Sequence, residues 1–401
     1  MNPEPAPSGN GSPVRIFLSL FLVTAVAMLS LGLIVPILPL YAKTMHATGF
    51  QLGMIFSGYA LSRGVFGLLV GDISDRYGRK KLIVLGLVLF IPLSILFALA
   101  NTPTLLTVIR IAQGVATVCI SLVAQAYIGD ITPRGQEGKY MNLFFISFFL
   151  GQSLGPYLGG LLSDQYTIRT PFYVMAALSA VALIPVLVFV PESPAAARSP
   201  DRSTSLYRRL MPALSDRPML GIMEYMASRG FYRWGFNTFF PILAVQAASL
   251  DATHVGLILS AYMVTGTIIQ FPSGLAVDKY PERKTLFILA GGVVSALIMC
   301  VIASFHTLTL FLILTTGMGV ASAVARASAV AIRTERGRVH GMGAVTGGFT
   351  ASLSLGQVLG PLVFGVMVDW LNIPAAFLLG GLVGLAGTFL AAWFLKAHTD
   401  Y

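Results

Sequence analysis

The stretch Gly71-Asp-Ile-Ser-Asp-Arg-Tyr-Gly-Arg-Lys-Lys81 sets two acids and four bases into a chain that is otherwise mostly apolar. Residues 51–71 before it and 81–101 after it are apolar runs, each long enough to cross ~30 Å of hydrocarbon as a helix. A short charged cluster between two such runs is a loop at a membrane edge. That reading makes the chain a polytopic membrane protein and sends the search for its working groups elsewhere, into the spans.

Composition agrees. Hydrophobic residues make up 56% and charged residues 10%, with a mean hydropathy of +0.80, whereas soluble domains carry about 25% charged residues. Further apolar runs lie at 15–41, 104–129, 140–163, 171–191, 218–244, 254–274, 284–305, 308–332, 341–367 and 373–396, which with the first two gives twelve expected transmembrane helices. The fold class is all-α. The expected organisation is a disordered tail at 1–14, a six-helix bundle at 15–191, a linker at 192–217, a second six-helix bundle at 218–396 and a short tail at 397–401. The Pro/Gly/Ser-rich opening lacks the basic segment and cleavage site of a secretory signal. Cys119 and Cys300 fall inside apolar runs with no metal-ligand spacing, so no metal or redox site is expected.

The formal net charge of +10 is distributed unevenly. With the N-terminus inside, Lys and Arg collect in the loops expected on the cytoplasmic face, and only Lys43 and Arg169 fall outside. The excess is therefore a topology signal and not a nucleic-acid footprint. Both termini are expected in the cytoplasm, with the chain a multi-pass protein of the cytoplasmic membrane, surrounded by lipid and acting as a monomer.

The two halves repeat. A shift of 203 residues lays Gly53, Ser57, Tyr59, Gly71, Asp75, Tyr77 and Lys81 on Gly256, Ser260, Tyr262, Gly274, Asp278, Tyr280 and Lys284. A shift of 205 lays the stretch 151–164 on 356–369, matching Gly151, Gln152, Leu154, Gly155, Pro156 and Asp164. Two bundles of like fold are the economical explanation.

These residues carry a family resemblance. The loop Gly71-x-x-x-Asp75-Arg76-x-Gly78-Arg79-Lys80 resembles the signature between helices two and three of the major facilitator superfamily. Arg110-x-x-Gln113-Gly114 resembles its helix-four motif, and Gly151-x-x-x-Gly155-Pro156-x-x-Gly159-Gly160 resembles the antiporter motif of the drug:proton antiporter branch. The resemblance implies two pseudo-symmetric bundles rocking about a midplane site, proton coupling involving Arg110, and no enzymatic activity. One departure is plain: members of that branch often carry an acid in helix one, and the span from Ile16 to Tyr41 has none.

Physical reasons stand beside each motif. Asp75, and Asp278 in the second copy, can hold a charge network that latches one conformation, with Gly71, Arg76, Gly78, Arg79 and Lys80 as its frame. The small residues of helix five allow close helix approach, either as packing alone or as part of a gate. Charges inside spans are costly and mark cavities or partners. Glu224 is the one acid expected inside a span, so it is the proton-carrier candidate with Arg110, although a fixed ion pair or a position snorkelling to the interface is an equal reading. Arg229, Arg233 and Asn237 recur every four residues and form one polar stripe that should face a central cavity. Tyr225, Tyr232 and Trp234 add aromatic surface, and Arg63 and Arg326 add positive potential.

The expected function is secondary transport of small amphipathic molecules by alternating access, of the proton-coupled multidrug efflux type, with no cofactor beyond a proton gradient. A basic cavity also fits a carrier of organic anions or anionic lipids. A non-transporting sensor on the same fold is a third reading.

Overall fold

The computed structural model describes residues 13–133, 135–192 and 216–396. Residues 1–12 of the expected tail and the greater part of the linker at 192–217 lie outside the described residues, as does the tail at 397–401, whereas Pro13 and Val14, expected in the tail, open the first helix. Among the described residues there are twelve α-helices: α1 Pro13–Thr44, α2 Gly49–Tyr77, α3 Arg79–Leu99, α4 Pro103–Ile131, α5 Glu137–Gln165, α6 Thr170–Phe189, α7 Arg217–Ala248, α8 Ala252–Lys279, α9 Lys284–Val301, α10 Leu308–His340, α11 Met342–Trp370 and α12 Ile373–Lys396. Ten are long and apolar enough to span a bilayer, and α2 joins them as two segments bent by 47°. α7 is the twelfth; Glu224, Arg229 and Arg233 make it too polar to stand out by composition.

Several helices outrun their apolar cores. The largest difference is in α10, expected to end at 332, which continues to His340 and so carries Arg333, Arg336 and Arg338 on helix instead of loop. The physical reason is that polar residues at a membrane edge do not stop a helix; a Gly with positive φ does, and Gly341 has φ 90.

α1 packs on α5 and α6, α2 on α4, and α3 on α4 and α6; α7 packs on α11 and α12, α8 on α10, and α9 on α10 and α12. Lipid supplies no hydrophobic drive between helices, so close packing through small residues carries the association. On α5, Gly151, Gly155 and Gly159 press against the α1 backbone from Ala25 to Leu33. On α11, Gly356 and Gly360 press in the same way on Ala227 and Phe231 of α7.

The two sets of helices meet through α5 against α8 and α11 against α2. Gly160 and Pro156 of α5 lie on Ala252 and Gly256, and Gly365 and Pro361 of α11 lie on Gly49 and Gly53. All of these contacts sit at the end opposite the basic loops, here the distal end. Toward the basic end the same helices part: Gly67 and Gly71 of α2, Gly274 of α8, and Gly343 and Gly347 of α11 face open space. A cleft therefore runs between the halves from the basic end to about mid-depth.

Candidate substrate cavity

The cleft holds a cavity of about 360 Å³, lined by α1, α2, α4 and α5 from the first half and α7, α8, α10 and α11 from the second. Among its described lining residues are six arginines, Arg63, Arg110, Arg229, Arg233, Arg326 and Arg333, and no aspartate or glutamate. Five of these lie within apolar spans, where an arginine costs about 2.5–3.5 kcal/mol at a helix centre on insertion scales, so their facing one space marks that space as functional.

α7 shows why the sequence folds this way. Its Arg229, Arg233 and Asn237 share one face, and a helix with this stripe can span a membrane only by turning it inward. Arg229 is 5% exposed and donates from Nε to Ser322 Oγ at 3.1 Å. Arg233 lies with Cζ 5.8 Å from the Tyr262 ring centroid. From the other half, Arg110, 3% exposed, donates from Nη1 to Gln113 Oε1 at 2.8 Å and sits 4.8 Å from the Tyr59 ring centroid and 5.0 Å from that of Phe56. Arg326 rests 5.8 Å from the Phe149 ring and Arg333 5.1 Å from that of Phe349.

Rings hold these cations where carboxylates would neutralise them. A cation over a ring keeps its charge and most of its hydrogen-bonding capacity. The Nε atoms of Arg110, Arg233 and Arg333, and Asn237 Oδ1, have no hydrogen-bond partner among the described residues. The cavity thus combines unneutralised positive charge with aromatic and aliphatic surface from Phe148, Phe149, Met28 and Leu31.

Of the residues singled out in the sequence, Arg63, Arg110, Arg229, Arg233, Asn237, Trp234 and Arg326 converge here. Glu224, Tyr225 and Tyr232 do not line the cavity. Glu224 lies five residues before Arg229, about 140° round the helix, and its carboxylate faces Gly387 of α12. Tyr232 packs against Gly384 of α12, and Tyr225 is sealed in a cluster with Ile222, Ile288, Ala325 and Ala329. The 100° turn per residue takes Glu224 and Tyr232 off the arginine stripe, whereas Tyr225, four residues before Arg229, shares the face of the stripe and is kept from the cavity by burial, 1% exposed behind the lining.

The residues not anticipated are as telling. Tyr59 and Tyr262 are repeat mates that each carry a cavity arginine, and Gln152 and Gln357, also repeat mates, both line the space. The internal repeat contained that signal. Arg333 was expected to be a loop charge; its seven-residue spacing from Arg326 places both on one side of α10.

The opening motif lies apart from the cavity, and it is not the loop expected: α2 runs on to Tyr77 and α3 starts at Arg79, because charged residues at the membrane edge continue a helix until Gly78 breaks it. Gly78, at φ 101, joins α2 to α3, and Arg79 pairs with Asp130, donating from Nη2 to Oδ1 at 3.0 Å with Nε 2.7 Å from Oδ2. Asp75 is the secondary partner, 3.5 Å from Arg79 Nη2 and 44% exposed. The Lys80 N–H donates to Glu192 at 3.1 Å and Lys80 Nζ to the Leu187 carbonyl at 2.9 Å. At the corresponding place in the second half, Lys284 pairs with Glu335, whereas Asp278 makes no ion pair among the described residues. Of the antiporter-motif residues, Gly151, Gly155 and Gly159 pack within their own half, while Pro156 and Gly160 cross to α8. Packing and interface are thus divided between faces of one helix.

Two six-helix sets enclosing a charged cavity at mid-depth are the architecture of a membrane transporter. The sequence profile of the Major Facilitator Superfamily matches residues 20–232 and 225–400, and the chain belongs to that superfamily. It is similar to Multidrug resistance protein 2 of Bacillus subtilis (strain 168), 27% identical over 396 residues and 96% of each chain. It is also similar to an uncharacterized MFS-type transporter of Methanocaldococcus jannaschii, 26% identical over 88% of this chain and 91% of that one. Among solved structures, a bacterial homolog of the human lysosomal transporter Spinster superposes with a TM-score of 0.79 at 14% identity, covering 98% of both chains.

Proposed function

We propose that this transporter moves amphipathic organic anions across the cytoplasmic membrane by alternating access. The observation that carries the reading is the cavity's charge: six arginines and no acid among its described lining residues. Rings and aliphatic side chains around those arginines suit the apolar body of such a solute, and the positive charge of the guanidinium groups suits its acidic head. With the basic loops in the cytoplasm, the cleft is open inward; export is the proposed direction, supported by the similarity to Multidrug resistance protein 2.

A second reading is proton-driven export of drug-like compounds, favoured by the similarity to Multidrug resistance protein 2 along nearly the whole chain. In either case the proposed driving force is an inward proton gradient, and Glu224, outside the cavity, is the intramembrane acid to test. The experiment is flux in proteoliposomes of a fluorescent amphipathic anion and a cation of similar size, with and without an imposed pH gradient. Anion-selective flux supports the first reading and cation-selective flux the second; flux indifferent to the gradient removes proton coupling from both.

A further inference from the structure

We propose that Asp164 and Asp369 form a paired latch that holds the distal end of the transporter shut, each carboxylate capping a helix that belongs to the opposite half. Asp164 stands at the end of α5, and its Oδ2 accepts from the Thr253 N–H at 2.7 Å and the Thr253 hydroxyl at 2.6 Å, at the start of α8. Asp369 stands at the end of α11, and its two oxygens accept from the Gly49 N–H at 2.6 Å and the Phe50 N–H at 2.8 Å, at the start of α2. The first-half acid closes on a second-half helix, and the second-half acid closes on a first-half helix.

The first N–H groups of a helix lack intrahelical partners and carry the positive end of its dipole. A side chain of the local chain normally caps them, and here one does. Asp251 takes the His254 N–H at 2.8 Å, and Thr48 takes the Gln51 N–H at 3.2 Å in a capping box. Asp164 and Asp369 take the N–H groups those local caps leave. They are therefore second caps supplied across an interface, and the contact exists only while the halves are together.

Both carboxylates sit above matching seams. Below Asp164, the Tyr157 N–H donates to Ser260 Oγ at 3.0 Å; below Asp369, the Ser57 hydroxyl donates to the Val358 carbonyl at 2.5 Å. Ser57 and Ser260 are repeat mates, as are Asp164 and Asp369. The repeat preserves the acid, the serine and the close-packed Pro and Gly between them, so the internal symmetry reproduces a whole latch. Opening the distal end must break both caps, whereas motion within either half breaks neither. This assignment does not rest on the substrate reading.

The test separates the two kinds of cap on one helix. In a background lacking Cys119 and Cys300, spin labels at Leu99 and Val301 report the distal end, and labels at Tyr77 and Val339 the basic end. Wild type is expected to show a short distal and a long basic distance. Asp164→Ala and Asp369→Ala are each expected to raise the distal-open population about tenfold, the scale of losing one charge-assisted hydrogen bond, with a matching fall in the basic-end distance. Asp251→Ala, which removes a carboxylate from the same α8 terminus without touching the interface, is expected to leave both distributions unchanged. Should an alanine variant not fold, Asp164→Asn and Asp369→Asn keep an acceptor and are expected to shift the populations in the same direction by less. Unchanged distributions in the interface variants, an equal shift with Asp251→Ala, or a response from only one of the two acids would overturn the paired latch.

Discussion

The Arg110 guanidinium donates to Gln113 one turn along α4, at 2.8 Å, and lies between the Phe56 and Tyr59 rings with its Nε left without a partner. The motif Arg110-x-x-Gln113 is thus a mount: the glutamine fixes one edge of the fork and the rings fix its plane, which holds the positive charge in the cavity wall. Lysine cannot reproduce a planar fork stacked on rings and bonded at one edge. Arg110→Lys is expected to lower transport about tenfold while the thermal melt of the purified protein stays near wild type. Wild-type flux would show that the planar mount is dispensable.

Arg229 and Arg233 form the second-half face of the same cavity. Arg229→Ala also leaves Ser322 without its donor at 3.1 Å. Either alanine variant is expected to weaken binding of an amphipathic anion about tenfold, as loss of a hydrogen bond to a charged group implies. Glu224→Gln, which alters a carboxylate turned toward α12, should leave that affinity within about twofold in the same titration.

Gly78 sits at φ 101 where a Cβ would run into the Glu192 carboxylate. Gly78→Ala combines a left-handed backbone with that overlap, and is expected to cost about 1–3 kcal/mol. Gly71, seven residues earlier and on helix α2, meets nothing within 4 Å. Gly71→Ala is therefore expected to be neutral or stabilising by up to about 1 kcal/mol. Melting of the two variants side by side checks the contrast.

Asp75 and Asp130 compete for Arg79, at 3.5 Å and 2.7 Å. In the conformation seen, Asp130→Asn should loosen the α2–α3 junction more than Asp75→Asn. If Asp75 engages in another conformation, Asp75→Asn is expected to slow turnover several-fold and leave equilibrium binding unchanged. A comparable loss of binding would place Asp75 in a different role.

Much of this was legible in the sequence, and the limits have physical causes. The apolar runs and the charged cluster at 71–81 gave the helices, because a bilayer leaves few ways to satisfy backbone groups. The four-residue recurrence of Arg229, Arg233 and Asn237 gave one wall of the cavity, because an intramembrane charge must turn inward. Glu224 is a mixed case: its five-residue spacing from Arg229 already turned it about 140° off the stripe, but the surface it meets there, Gly387 of α12, comes from a distant part of the chain. Arg333 was hidden by a helix running past its apolar stretch. Asp164 and Asp369 were visible as repeat mates, but what they cap comes from a distant part of the chain, which no local pattern reveals.

The central claim, that unneutralised arginines make this cavity a site for amphipathic anions, meets its most direct test in equilibrium binding. Purified protein is titrated with an amphipathic monoanion and a monocation of the same size and apolar body, for wild type and for Arg229→Ala/Arg233→Ala. The account predicts that wild type binds the anion at least about tenfold more tightly and that the double variant loses that preference. Equal or tighter binding of the cation by wild type, or an anion preference that survives the double substitution, would contradict it.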